Sequence, residues 1–291
     1  MATDATVVLE NYTYFECPRW HDDRVWVSDF YTHQVISARA DGSDVRVEAE
    51  VPQQPSGLGW LPDGQLLIVS MRDHTILRRG HDGELVVHAD LSHLVTEHLN
   101  DMLVDATGRA YVGNFGFDLM NGGTPSSAQL IAVETDGQAR VVAEDLFFPN
   151  GMALTGDGRL LVDETLGNRV SAFDIADDGS LGERRDWAVF GDLPDMTSIE
   201  SVMGSITVAP DGCCLDTDGT LLVADALGGR IARVAEGRGV IDQYDFDSGV
   251  FACGLGGSDG RTLFVCAAPD FDEHARKVAT DGKLLAVQLP S

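Results

Sequence analysis

The sequence predicts an all-β fold, a closed six-bladed β-propeller. Three observations predict it. A turn-plus-strand unit recurs six times along the 291 residues. The runs after the turns are continuously apolar. Amphipathic helical periodicity with caps is nearly absent.

The units can be taken in order. The first is His21–Asp29, where a polar His-Asp-Asp turn leads into Val25-Trp26-Val27. The second, Pro62–Ser70, sets Asp63-Gly64 before Leu66-Leu67-Ile68-Val69. The third, Ala106–Asn114, turns at Gly108 ahead of Ala110-Tyr111-Val112, and the fourth, Gly156–Glu164, turns at Gly158 ahead of Leu160-Leu161-Val162. The fifth, Thr217–Asp225, and the sixth, Ser258–Cys266, repeat Asp-Gly before Leu221-Leu222-Val223 and Leu263-Phe264-Val265. Asp-Gly supplies the positive-φ positions of tight turns. The aligned turn residues 23, 64, 108, 158, 219 and 260 are separated by 41, 44, 50, 61 and 41. Strand repeats at about 40–50 residues are the spacing of propeller blades. The two long intervals imply insertions. A blade is covered on both faces by its neighbours, which explains apolar runs without alternation. The ring must therefore close, and Thr6–Leu9 and Leu284–Val287 are expected to share a blade. The competing all-β reading, a β-sandwich pair with chance turns, leaves the even phase of the repeats unexplained. One short helix is expected around Asp90–His98. No linker divides the chain, so residues 1–291 read as one domain.

Composition narrows the function. Twenty basic against 47 acidic residues give a formal charge of −27, with 44% apolar residues. Such a chain buries a large core and is not globally disordered. It lacks the basic face that nucleic acid or an anionic membrane surface requires. The acidity is spread along the chain and serves to solvate turns. Only Lys277 and Lys283 are lysines, from which no mechanism follows. Five cysteines, Cys17, Cys213, Cys214, Cys253 and Cys266, fit neither a disulfide framework nor a CxxC metal site. No apolar run reaches the length of a membrane span, and Met1–Glu10 lacks the features of a signal peptide. The expectation is a soluble, cytoplasmic protein acting on a small molecule, with no call on its oligomeric state.

Four segments place polar residues where blade beginnings should be apolar. They hold Glu16 in Phe15–Trp20, Asn100 in Leu99–Leu103, Asn150 in Phe147–Met152 and Asp211 in Val208–Leu215. Each lies seven or eight residues before its blade's turn residue. One structural place in four blades thus carries Glu, Asn, Asn and Asp. Each alone is an ordinary turn or cap residue. Converging on a propeller axis, they make an all-oxygen site for a hard divalent cation, whose charge two carboxylates balance.

These segments are similar to those of the SMP-30/gluconolactonase/luciferin-regenerating family of six-bladed propellers. The resemblance covers essentially the whole chain. Its carriers are Glu16 with Pro18 and Trp20, the pair Asn100-Asp101, Asn150-Gly151, and Pro210-Asp211-Gly212 with Leu215-Asp216. The resemblance implies a lactone hydrolase with one divalent metal held by Glu16, Asn150 and Asp211, and Asn100 as a further ligand or substrate contact. Ca²⁺ is the first expectation; Mg²⁺, Mn²⁺ and Zn²⁺ suit such oxygen sites too. Asp211 becomes the candidate general base. Asp101 becomes a second candidate catalytic residue, as a substrate contact or as a group orienting the site.

Some residues depart from the family pattern. Arg19, expected beside the channel mouth, either holds a substrate carboxylate or diphosphate or is a surface residue. His98, two residues before Asn100, is either a substrate contact and proton shuttle or a packing residue. Phe117–Gly123 and Leu193–Ile206 are expected to form the rim, and with Phe147 and Phe148 they make the pocket more apolar than a sugar site. The substrate is then a lactone or ester more apolar than an aldonolactone. Gly256–Gly260 matches G-x-S-x-G, but it is a blade turn and not the strand–turn–helix of a nucleophile elbow. Three other readings remain open at this point: a phosphotriesterase-like hydrolase, a cyclase or isomerase using the same metal, and a non-catalytic metal-binding propeller.

Overall fold

A computed structural model describes residues 3–290. Blade 1 consists of β2 (Phe15–His21), β3 (Arg24–Asp29), β4 (Gln34–Ala38) and β5 (Arg46–Glu50). Blade 2 is β6 (Pro55–Trp60), β7 (Leu66–Ser70), β8 (Thr75–Arg79) and β9 (Leu85–Asp90). Blade 3 is β10 (Leu99–Val104), β11 (Ala110–Asn114), β12 (Ala128–Val133) and β13 (Ala139–Leu146). Blade 4 is β14 (Pro149–Leu154), β15 (Arg159–Glu164), β16 (Arg169–Asp174) and β17 (Arg185–Val189). Blade 5 is β18 (Pro210–Leu215), β19 (Leu221–Asp225), β20 (Arg230–Ala235) and β21 (Gly239–Asp245). Blade 6 takes β22 (Gly249–Gly256), β23 (Thr262–Ala268) and β24 (Gly282–Gln288) from the C-terminal end, and β1 (Thr6–Tyr12) from the N-terminal end. The ring is thus closed by β1 pairing antiparallel with β24, Thr6 opposite Ala286 and Val7 opposite Leu285. Without β1 the sixth blade would have three strands; its pairing ties the two ends of the chain into one sheet and closes the ring.

The turn residues that set the repeat are where the sequence puts them. Gly64, Gly108, Gly158, Gly219 and Gly260 each join the first and second strands of a blade at positive φ, and Asp23 takes the same place at φ 58°. The runs that follow are the most buried of each blade; β3, β7, β11 and β19 are buried at every residue. Their apolar side chains meet the neighbouring blades. Leu161, Val170 and Trp187 of blade 4, for example, form one cluster with Leu221, Val223 and Val234 of blade 5. The outermost strands keep exposed valines such as Val47 and Val87.

The insertions fall where the long intervals predict. A single 3₁₀ turn, Leu119–Asn121, follows β11, and helix α1 (Ile199–Ser205) precedes β18. A short helix, α2 (Glu273–Arg276), follows β23 and was not foreseen. The helix expected around Asp90–His98 does not form. Leu94 and Val95 donate to the carbonyl of Leu91, making one turn, and Leu99 then donates to Met71 to start β10. Leu91 and Val95 are buried, but the chain is drawn back into the ladder at Leu99 and stops at that single turn. Among the described residues, no helix is long and apolar enough to cross a membrane.

Candidate functional site

The innermost strands β2, β6, β10, β14, β18 and β22 touch one another in sequence around the ring. All six share one irregularity: the register with the second strand slips near the start, as between Pro149 and Met152 or between Pro210 and Cys213. A β-bulge of this kind re-aims a side chain out of the ladder. The residues within these slips or beside them include Glu16, Ser56, Asn100, Asn150, Asp211 and Phe251. In β2 the slip forces Cys17 to φ 53°, an unfavourable value for a non-glycine residue.

Glu16, Asn100, Asn150 and Asp211 are buried, and all four line one pocket. Chains 195 residues apart thereby meet, as the sequence pattern requires. Asn150 donates its amide N–H groups to an oxygen of Asp211 and to Thr165 Oγ1 at 3.1 Å. Thr165 in turn donates to the carbonyl of Pro210 at 2.7 Å. Asn100 donates to the carbonyl of Pro149 at 3.3 Å. Both carboxamides therefore spend their donors on the protein and keep their carbonyl oxygens free. Burial, then the charges of Asp211 and Asp101, push the Glu16 carboxyl well above the usual range. Burial, then Asp163 and Asp101, do the same to Asp211. Two free carboxamide oxygens beside two carboxylates with no cationic partner form a donor set that suits a hard divalent ion. Among the described residues no three His, Cys, Asp or Glu side chains cluster as a metal site. The set depends on its two asparagines.

The floor is anchored from behind. Asp29 accepts from the main-chain N–H of Tyr14 at 2.8 Å, Glu164 from that of Phe147 at 2.8 Å, and Asp225 from that of Ala209 at 3.0 Å. Each of these buried acids ends the second strand of a blade and holds the backbone two or three residues ahead of Glu16, Asn150 or Asp211. They were visible in the sequence as acidic ends of three repeat units, but nothing there tied them to the floor. Asp163 was missed entirely. It is fully buried with no cationic partner; burial, partly offset by the neighbouring Cys213 thiol and reinforced by Asp101, pushes it well above the usual range. Ser56 and Phe251 complete the ring of bulge residues; Phe251 lines the pocket, and Ser56 contacts Cys17 Sγ at 3.6 Å.

The remaining sequence candidates fall in other places. Arg19 was expected at the channel mouth and instead lies three residues farther along β2, where it donates to Asp101 Oδ1 at 2.7 Å and to the carbonyl of Met102 at 2.9 Å. Asp101 is 2% exposed and also accepts from the N–H of Met102. Neither lines the pocket. His98 stands behind the wall, its ring stacked on Phe115 at 5.5 Å, and burial holds it below its usual pKa. Phe148 lines the pocket at φ 61°, stacked on Phe115 at 4.5 Å. Phe147 packs at the edge of the adjoining core.

The walls are aromatic and aliphatic. Phe115 and Phe148 form one side; Tyr14, Phe30, Tyr31 and Phe251 form a second group of tilted rings, with Tyr14 at 4.9 Å from Phe251 and 5.4 Å from Phe30. Leu119 and Met120 of the first insertion, and Ile199 and Met203 of α1, cover the top. Phe271, just before α2, completes the rim. Among the described residues no Lys or Arg lines the pocket.

A protein-family model described as SMP-30/Gluconolactonase/LRE-like region matches residues 15–269. A 6-deoxy-6-sulfogluconolactonase of Pseudomonas putida is 26% identical over 261 residues, covering 87% of this chain and 82% of that protein. A calcium-binding protein, regucalcin, from Agrobacterium tumefaciens superposes with a TM-score of 0.78 at 19% identity, over 99% of this chain and 96% of that one. A gluconolactonase from Xanthomonas campestris superposes with a TM-score of 0.72 at 21% identity, over 98% and 89%. At these identities the structural likeness establishes the fold.

Proposed function

The chain belongs to the SMP-30/Gluconolactonase/LRE-like family, and from that premise we propose that it is a single-domain, divalent-metal-dependent hydrolase that opens a lactone ring. One observation carries the reading: four oxygen-bearing side chains from four blades, buried and free of cations, lie at the floor of one apolar pocket. Glu16, Asn150 and Asp211 would hold the ion, with Asn100 as fourth ligand or substrate contact. Ca²⁺ is the first choice, on the all-oxygen donor set and the calcium-binding neighbour; Mg²⁺, Mn²⁺ and Zn²⁺ remain candidates. When bound, the cation supplies Lewis-acid polarisation of the ester carbonyl and charge for the oxyanion.

The protein's own groups do the rest. Asp211 takes the proton of the attacking water. Asn150 donates to one of its oxygens and leaves the other free to face the water. Asn150 and Thr165 fix that carboxylate's orientation. Asp101 and Arg19 brace the floor from below. The aromatic walls exclude water and favour an acyl group more apolar than a sugar. A sulfonate, which the name of the Pseudomonas relative implies for its substrate, has no Arg or Lys to meet in this pocket. Five free thiols support a reducing, cytoplasmic location.

The test is turnover of a panel of γ- and δ-lactones, with one phosphotriester, before and after chelation and metal add-back. Lactone turnover should vanish with chelator, return with metal, and be absent from folded Asn150→Ala and Asp211→Ala. Turnover indifferent to chelator and to both substitutions would overturn the reading.

A further inference from the structure

Cys213 and Cys214 are consecutive on β18, so strand alternation sends them to opposite faces. Cys213 packs with the blade 4 side, in the cluster of Leu161 and Val170. Cys214 turns toward blade 6, where its Sγ lies 3.8 Å from Sγ of Cys253 on β22. Among the described residues this is the one pair of thiols in contact. The two strands are innermost strands of adjacent blades and share no hydrogen-bonded ladder. The sulfurs thus face each other across a blade boundary. Cys253 is fully buried and directs its thiol at the carbonyls of Leu222, at 3.3 Å, and Gly212, at 3.7 Å. Cys214 is only half-buried, so a small oxidant reaches it first.

An accessible thiol backed by a shielded one is the arrangement in which a first oxidation product is captured by a resolving cysteine. We propose that Cys214 and Cys253 are a redox-active dithiol that hydrogen peroxide converts into a disulfide joining blades 5 and 6. The Cys214 sulfur attacks one peroxide oxygen. The O–O bond breaks, and the departing hydroxide takes up the thiol proton and leaves as water. The Cys253 sulfur then attacks the sulfenic sulfur; the S–O bond breaks, and the hydroxyl leaves with the Cys253 proton as a second water. Two thiols and one peroxide become one disulfide and two waters. The sulfurs close from 3.8 Å to bonding distance, about 2.05 Å, a movement shared between two side chains. Burial holds the Cys253 thiol well above its usual pKa, so peroxide oxidises Cys214 first and the attack of Cys253 is the slower step. The bridge would sit three residues beyond Asp211 and two beyond Phe251.

The experiment uses the full-length reduced protein, treated with excess hydrogen peroxide, then alkylated under denaturing conditions and mapped by mass spectrometry. Three of the five cysteines should take the alkylating label, and the chain should lose two hydrogens. The Cys253 peptide should be linked to the peptide carrying Cys213 and Cys214, and dithiothreitol should return all five thiols. Cys213→Ser should keep the link and Cys214→Ser abolish it. A link that survives Cys214→Ser, or Cys214 oxidised to sulfinic acid with Cys253 free, would overturn the proposal. Cys214 is half-buried, so its serine variant is expected to fold; a far-UV spectrum matching wild type checks this.

Discussion

Glu16→Gln should make the protein more stable and less active at once. The side chain is 7% exposed and faces Asp211 and Asp101 without a cation of its own. An ion held this way costs several kcal/mol before protonation relieves it, so a neutral isostere should recover on the order of 1–3 kcal/mol in metal-stripped protein at pH 8. That corresponds to a thermal midpoint higher by about 2–5 °C for a chain of this size. The sign follows from linkage. The folded-state pKa is raised, so between the unfolded and folded values the native state binds more protons than the unfolded chain. Stability of the metal-free wild type therefore falls as pH rises through that window, whereas the amide does not titrate. The advantage of the variant should be absent in acid and grow toward pH 8. Saturating divalent cation offsets most or all of that advantage. At a hundredfold excess over Kd it stabilises wild type by about 2.7 kcal/mol, and the variant, lacking a ligand, should gain far less. Lactone kcat/KM should drop by about 10²–10³, the usual cost of losing a charge-stabilising group. Thermal melts at several pH values, with chelator and with metal, read all of this. A variant less stable than wild type in chelator, or one that keeps the full metal response, would refute the reasoning.

Other outcomes follow from the same contacts. Arg19→Met leaves Asp101 buried and unpaired and should cost about 3–5 kcal/mol in urea unfolding. Arg19→Met with Asp101→Asn should recover part of that, a coupling that a double-mutant cycle measures. Asp225→Ala frees the N–H of Ala209, removes the carboxylate partner of Arg230 and should cost about 2 kcal/mol or more; cation-induced stabilisation should weaken with it, because Ala209 leads into Asp211. His98 is held below its usual pKa of 6.5 by burial and then by Arg72. The unfolded chain protonates first as pH falls, so wild type loses stability below about pH 6.5, and His98→Gln should flatten that part of the acid melt series while leaving kcat/KM between pH 7 and 8 unchanged.

The candidate floor was legible because a propeller repeats. Once Gly64, Gly108, Gly158 and Gly219 were aligned, Asn100, Asn150 and Asp211 stood out at one phase, with Glu16 beside them. Ser56 stands at the same phase and Phe251 one residue before it; a small serine next to Pro55 and an apolar phenylalanine gave no sign of a ligand. The expected helix near Asp90–His98 shows the opposite case. Apolar spacing at Leu91 and Val95 is shared by a helix and by a buried turn, and only the neighbouring strands decide between them. Arg19 was misplaced for a related reason. Its position along β2 was known, but the partner 82 residues away that claims its guanidinium was not.

Local chemistry carried in the chain determined the blades: positive-φ turns, apolar runs and their period require six sheets that cannot stand alone, and hence a ring. Which side chains meet inside that ring was decided only by closure. The pair Asn150–Asp211, the Arg19–Asp101 brace and the facing thiols of Cys214 and Cys253 all lie across blade boundaries. Strand propensity acts between residues a few positions apart, whereas these contacts depend on the bulges, twist and packing that bring separate blades to one axis.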